Sequence, residues 1–257
     1  MSPGEPGGVT AAVIRASDVD IERVVANLAT IRSTIEATGR DPDSVRIVAV
    51  TKGQPATMVS AALSAGLCDI GENYADELVS KAEAFNNSTA TLSEGTLSEH
   101  ALRWHFQGRL QTNKINRLVP HVWLWQTVDS TARGHALAAR APGAKVLVQV
   151  DFSGDPGRGG VAPAQVSTVV AECRDVGLEV LGLMCVAPFP GDGASSLAPT
   201  PDVVFAQLSH VADELGLEHR SMGMSDDFEA AVRAGSTIIR IGSALFGARP
   251  QKESALG

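Results

Sequence analysis

Two kinds of hydrophobic pattern alternate along the chain. Residues 18–39 place Ile21, Val24, Val25, Leu28, Ile31 and Ile35 at offsets 0, 3, 4, 7, 10 and 14, the stripe of an amphipathic helix, and Gly39 stops it. Short apolar runs then follow, each bounded by polar or turn residues, and read as buried strands at 46–51, 68–72, 104–107, 122–128, 145–151, 179–185, 218–222 and 237–241. Between them lie helical patterns at about 55–66, 74–85, 110–118, 130–141, 162–176, 201–216 and 225–234.

Strands that alternate with helices, with no run of strands alone, predict parallel βα units. Their number predicts an α/β fold, a closed (β/α)8 TIM barrel with an extra N-terminal helix. An open doubly wound sheet is the other architecture with this alternation. It would need exposed edge strands and a Gly-rich loop after the first strand, and the sequence offers neither. The organisation expected is a flexible leader at 1–15, one barrel domain at 16–249 and a tail at 250–257. Two polar stretches, 86–100 and 189–201, read as loops within the barrel.

Composition narrows the class. The 257 residues carry 21 basic and 29 acidic side chains, net −8, and no basic run, which argues against a nucleic-acid partner. No apolar stretch reaches the roughly 18 residues of a membrane span, and the start, MSPGEPGGVT, lacks a signal-peptide pattern. Cys68, Cys173 and Cys185 are too few and too scattered for a disulfide framework. A soluble cytoplasmic protein is expected.

Chemistry in such a barrel sits at the C-terminal ends of the strands. That rim is predicted to carry Lys52, Glu72, Asn73, His105, Asp129, Asp151, Cys185, Ser221 and Gly242. Each has a plain alternative. Lys52 could snorkel to solvent from a strand end, Asp129 and Ser130 could cap a helix, and Cys185 could be a small buried hydrophobe. His105 could be a hydrogen-bonded interior histidine, and Arg240 could pair with a carboxylate in the barrel. In 221–247, Ser225 or Asp226 is placed to cap the helix that follows. Gly242 and Ser243 open a short helix after the eighth strand, where bare N–H groups favour an anion. Arg240, two residues before Gly242, points to the same side by strand alternation. A strand-end amine facing a phosphate-type loop suits a phosphorylated aldehyde, and pyridoxal phosphate fits. A metal fits poorly, because the six histidines form no closely spaced ligand pair and no CxxC exists.

The segments VTKGQP, DIGENYADEL, WHFQGRLQTNK, VLVQVDFSG, LEVLGLMCVAPF and SMGMSDDFEAAVRAGSTIIRIGSALFGAR together resemble the pyridoxal phosphate homeostasis protein family. These are single-domain relatives of the alanine racemase N-terminal barrel, fold type III, and the resemblance covers roughly residues 20–249. It implies that Lys52 carries pyridoxal 5'-phosphate as an internal aldimine and that Asn73 contacts the ring region. It further implies that Ser221, Met222, Gly242 and Ser243 clamp the phosphate and that Arg240 meets the pyridine nitrogen. An arginine there disfavours protonation of that nitrogen and weakens the ring as an electron sink. One loop departs from the family pattern: Arg158 stands where a lysine is usual, and the insertion at 86–100 is longer than typical.

The function implied is non-catalytic buffering or delivery of the cofactor by a monomer, with apo-forms of pyridoxal phosphate enzymes as partners. Two alternatives stay open. A racemase-like enzyme would need a second acid/base; Tyr74 is the sole tyrosine, and the chain stops soon after the eighth strand. A cofactor-free Schiff-base aldolase would use Lys52 and a phosphate site but leaves Asn73, Arg240 and the SMGMS segment unexplained.

Overall fold

The computed structural model describes residues 14–89, 102–154, 157–188 and 199–248. Helix α1 (Asp18–Ala37) precedes the barrel and starts where the Ser17 hydroxyl accepts from the Asp20 N–H. Then come β1 (Arg46–Val50), α2 (Ala56–Ser64), β2 (Asp69–Glu72), α3 (Ala75–Thr89), β3 (Arg103–Phe106), α4 (Ile115–Leu118) and β4 (Val122–Val128). The second half follows with α5 (Thr131–Ala138), β5 (Lys145–Gln149), α6 (Val166–Asp175), β6 (Glu179–Met184) and α7 (Pro201–Glu214). It closes with β7 (His219–Ser221), α8 (Phe228–Arg233), β8 (Ile238–Ile241) and α9 (Ser243–Phe246). The strands form one closed parallel barrel in sequence order, β8 returning to β1, as the alternation predicts.

Alternation along each strand separates two cores. Outward residues such as Ile47, Ala49, Ile70, Trp104, Phe106, Val146, Leu183, Ile239 and Ile241 pack under the helices in one continuous cluster. Inward residues Val48, Leu124, Leu147, Met184 and Ile238 form a small second cluster, an apolar plug across the barrel interior. Gly71 belongs to this inward layer. A Cβ there would lie 2.7 Å from the Gln107 amide and 2.9 Å from Val48, so the bare backbone makes room for Gln107.

Three expectations change in detail. Val25, placed on the α1 stripe, is 47% exposed, because α1 buries only a narrow face through Val24, Ile31 and Ile35. The polar stretch 86–100 begins inside α3, which runs to Thr89, and its remainder lies outside the described residues, as does most of 189–201. The cap of α8 is Asp227, whose carboxylate turns back to the Met224 N–H. The leader and tail predicted at 1–15 and 250–257 also fall almost wholly outside the described residues.

Candidate functional site

At the C-terminal mouth of the barrel, a cavity of about 170 Å³ is lined by Val50, Lys52, Gln54, Gly242, Ser243, Gly247 and Ala248. Lys52 follows β1 in a tight turn in which Gly53 takes φ 71°, the left-handed region that glycine enters without strain. Both neighbours of Lys52 are pinned from outside the barrel. Thr51 donates its hydroxyl to Glu72 at 2.6 Å, the Thr51 carbonyl accepts from Lys81 Nζ at 2.7 Å, and the Gly53 N–H donates to Glu77 at 2.8 Å. Lys81 in turn lies 2.7 Å from both Glu72 and Glu77. Glu72 is therefore not a mouth residue. It faces the helix layer, fully buried, and burial pushes its carboxyl above the usual range against the pull of Lys81.

Across the cavity, α9 begins at Ser243, and its first N–H groups have no partner within the helix. Two amides at this end are taken by one side chain: the Ser225 hydroxyl accepts from Gly242 N at 3.3 Å and from Ala244 N at 3.1 Å. Ser225 thus caps α9 instead of its own α8. A Cβ at Gly242 would meet the Val50 carbonyl at 3.4 Å, an ordinary contact, so the protein alone does not require glycine there.

Beneath the mouth, the inward side chains are polar and join in one chain of hydrogen bonds. Arg240, 5% exposed, donates to Ser221 Oγ at 2.9 Å and to the Cys185 carbonyl at 2.9 Å. Ser221 donates to Gln126 Oε1 at 2.7 Å, and Gln126 Nε2 lies 2.8 Å from His105 Nδ1. His105 Nε2 lies 2.8 Å from Asp69, which also receives two hydrogen bonds from Arg103 at 2.8 and 2.6 Å. Burial pushes His105 below the usual imidazole range. Asp69 is also buried, which alone would raise it, but the hydrogen bonds from Arg103 and His105 hold its carboxyl well below the usual range.

The remaining predicted residues divide. Asn73 points inward beside Gln107, its Nδ2 3.5 Å from the Gln107 carbonyl, while Asn73 Oδ1 and Gln107 Nε2 are both buried with no hydrogen-bond partner. Ser221 spends its hydroxyl on Arg240 and Gln126. Met222 is fully buried in the outer core, and its N–H bonds the Ile238 carbonyl, so it separates Ser221 from Gly223 without facing the cavity. Ser130 caps α5, Asp129 pairs with Arg133, and Asp151 accepts from Ser153, all local turn contacts. Cys185 is a buried hydrophobe whose thiol burial pushes up to about 12. Arg158 donates to the Ala187 carbonyl at 3.1 Å. Gln107 and Gln126 were not singled out in the sequence. Their signal is the two-residue spacing from His105 and Leu124 on the inward faces of β3 and β4.

A closed barrel with a strand-one lysine opposite the loop after strand eight defines a class. The family described as alanine racemase, N-terminal domain, matches residues 19–250. The alanine racemase of E. faecalis superposes with a TM-score of 0.59 at 16% identity, which speaks to the fold alone. Nearer likenesses are more particular. A pyridoxal phosphate homeostasis protein of Pseudomonas aeruginosa is 35% identical over 235 residues, 89% of this chain and 95% of that one, and a Homo sapiens protein of the same name is 36% identical over 79% of this chain and 76% of its own. The PipY structure of Synechococcus elongatus with pyridoxal phosphate bound aligns at TM-score 0.70 and 31% identity, over 87% of this chain and all of that one. The chain belongs to the pyridoxal phosphate homeostasis protein family.

Proposed function

We propose that the chain holds pyridoxal 5'-phosphate at the barrel mouth through Lys52 and keeps it for buffering or delivery to apo-enzymes, without substantial turnover. The observation that carries this reading is that Lys52 lines the same cavity as Gly242 and Ser243. When bound, such a cofactor supplies an aldehyde that condenses with a primary amine, releasing water, and a phosphate that accepts hydrogen bonds. The donor set fits. Lys52 offers the amine, and at the start of α9 Ser243 offers the N–H that lies between the two Ser225 takes. Asn73 and Gln107 offer an acceptor and a donor that the protein leaves unmatched. At about 170 Å³ the cavity is several times the roughly 30 Å³ a water occupies, room for a phosphate-sized group. Arg240 lies one inward position below Gly242, the place for a cation facing the ring.

The non-catalytic part of the reading draws support from how the acid/base candidates are used. Tyr74 is 62% exposed, His105 is locked in the interior chain, and burial keeps the Cys185 thiol protonated. Closure of the barrel leaves no open strand edge to be covered, which supports a monomer.

The test is capture. Incubation with pyridoxal phosphate turns the protein yellow, and borohydride followed by peptide mass analysis places the adduct on Lys52. A colourless protein with Lys52 unmodified overturns the reading and leaves the cofactor-free aldolase. Exchange of amino-acid α-protons in heavy water at enzyme-like rates, lost in Lys52→Ala, overturns the non-catalytic part alone.

A further inference from the structure

The interior chain of hydrogen bonds has a direction, and the direction follows from counting protons. Asp69 is an acceptor held ionised by Arg103, so His105 Nε2 must carry the proton between them. Burial pushes His105 below the usual imidazole range, and Arg46 and Arg103 push the same way, against the pull of Asp69. Arg46 on β1 and Arg103 on β3 lie 5.1 and 5.4 Å from the Trp123 ring on β4, and Lys145 on β5 lies 5.1 Å from it, while that ring sits 5.3 Å from His105. With one proton spent on Nε2, Nδ1 is an acceptor, and only the amide nitrogen of Gln126 suits it. That choice turns Gln126 Oε1 toward Ser221. The Ser221 hydroxyl must then donate to Gln126, which leaves its lone pair for Arg240 Nη1. Reversing the Gln126 amide would demand an imidazolium at His105 and leave Ser221 facing donors on both sides.

From this geometry we infer that His105 and Gln126 are positioning residues for Arg240: anchored on Asp69, they fix the Ser221 hydroxyl as an acceptor and so fix where the guanidinium stands beneath the mouth. Neither residue touches the cavity. Arg240 has two holds, Ser221 Oγ and the Cys185 carbonyl, and the first is set by a partner three hydrogen bonds away in β2. A plain serine would rotate its hydroxyl to whichever neighbour offered an acceptor. Here Gln126 removes that freedom. The consequence for a bound cofactor, a constant cation near it, would rest on the proposed function; the placement of Arg240 does not.

The experiment begins with the ligand-free, full-length protein. Nitrogen NMR of labelled histidine is expected to show His105 neutral, with its proton on Nε2, unchanged across about pH 6 to 8. A proton on Nδ1, or an imidazolium in that range, overturns the inference. Arginine-labelled protein then reports on Arg240. Its guanidinium protons are expected to exchange at least about tenfold faster in Gln126→Leu than in wild type. Equal exchange in a folded Gln126→Leu overturns the inference, and should that variant fail to fold, the wild-type histidine spectrum still decides. Gln126→Glu keeps the acceptor for Ser221 but loses the donor to His105. It should therefore hold Arg240 as wild type does while converting His105 to the imidazolium. Guanidinium exchange in Gln126→Glu as fast as in Gln126→Leu overturns the inference. Loaded with pyridoxal phosphate, Gln126→Leu is expected to stay yellow through Lys52 but to shift the midpoint of its colour change with pH by about one unit; an unmoved midpoint counts against the inference. A wild-type protein that takes up no cofactor sinks the proposed function and leaves the NMR results standing.

Discussion

At the N-terminal pole of the barrel a cavity of about 610 Å³ is walled by Arg46, Cys68, Asp69, Arg103, Glu218, His219 and their neighbours; at the C-terminal pole a cavity of about 170 Å³ is walled by Lys52, Gln54, Gly242 and Ser243. Volume alone would favour the N-terminal pole, whereas the proposed function uses the other. The lower pole is held together by charge against charge. Asp69 binds Arg103 and His105 and lies 3.9 Å from Arg46, and the Trp123 ring carries three cations on it. Its thiol, Cys68, is pushed up by burial. The upper pole sets amides and backbone N–H groups around one lysine, with the Glu72, Glu77 and Lys81 charges behind it in the helix layer, and leaves Asn73 and Gln107 short of a partner each. Unmatched atoms occur below as well, at Arg46 Nη1 and His219 Nδ1, but no amine and no helix start faces them in the cavity lining. Between the poles, the apolar plug keeps the two sets of polar groups apart except along the β2–β4 side, where His105 passes through. On the proposed reading, the lower pole serves stability and the upper holds the ligand.

The largest test of that division is Asp69→Asn. It removes the one carboxylate that Arg103, Arg46 and His105 share, while the amide oxygen preserves a neutral acceptor for His105. The expected loss is about 3 kcal/mol in denaturant unfolding, less than the full value for a buried pair because Arg103 is 34% exposed. Capture of pyridoxal phosphate by Lys52 should persist. A variant of wild-type stability, or one that folds but takes up no cofactor, would break the separation of the poles.

The same residue predicts a pH dependence. Asp69 has a folded-state pKa below its unfolded one, so it contributes stability that is present above the ordinary aspartate value of about 3.9 and is lost as pH falls through the lowered folded value. The stability gap between wild type and Asp69→Asn should therefore narrow below about pH 4. Glu72, outside the mouth, runs the other way. Its raised pKa makes its contribution fully present below about pH 4.3 and lost as pH rises through the folded value. A gap for Asp69→Asn that widened in acid would show that Asp69 is not the ionised anchor described here.

Much of this was legible in the sequence, and what was not has identifiable causes. All eight strands fall within a residue or two of their predicted spans, because outward packing under helices demands near-continuous apolar runs that the sequence spells out plainly. Lys52, Gly242 and Ser243 share a cavity because strand order and alternation place β1 beside β8. Glu72 misled, since it lies at the end of β2 but alternation turns it outward to Lys81. Ser225 misled for a different reason. A cap is read locally, and this hydroxyl serves a helix 18 residues further on. The interior chain through Gln126 was only half legible: two-residue spacing turns Gln126 inward, but neither the spacing of β2, β3, β4, β7 and β8 nor any motif says which inward polar side chains meet.

The finest discrimination between the poles comes from Asn73→Ala. A buried acceptor without a partner costs about 1–3 kcal/mol relative to a satisfied one, so deleting it removes a liability. The variant also gives up the contact from Asn73 Nδ2 to the Gln107 carbonyl, which at 3.5 Å is long for a hydrogen bond. These two effects oppose each other. Stability is expected to stay within about 1 kcal/mol of wild type, in contrast to the loss at Asp69, while pyridoxal phosphate is released several-fold faster in a competition assay. The sign matters more than the size, because an upper pole kept ready for a ligand must be one whose polar groups the apo-protein does not need. A loss of stability beyond about 2 kcal/mol with unchanged release would mean that Asn73 supports the barrel as Asp69 does, and the contrast between the two ends would be gone.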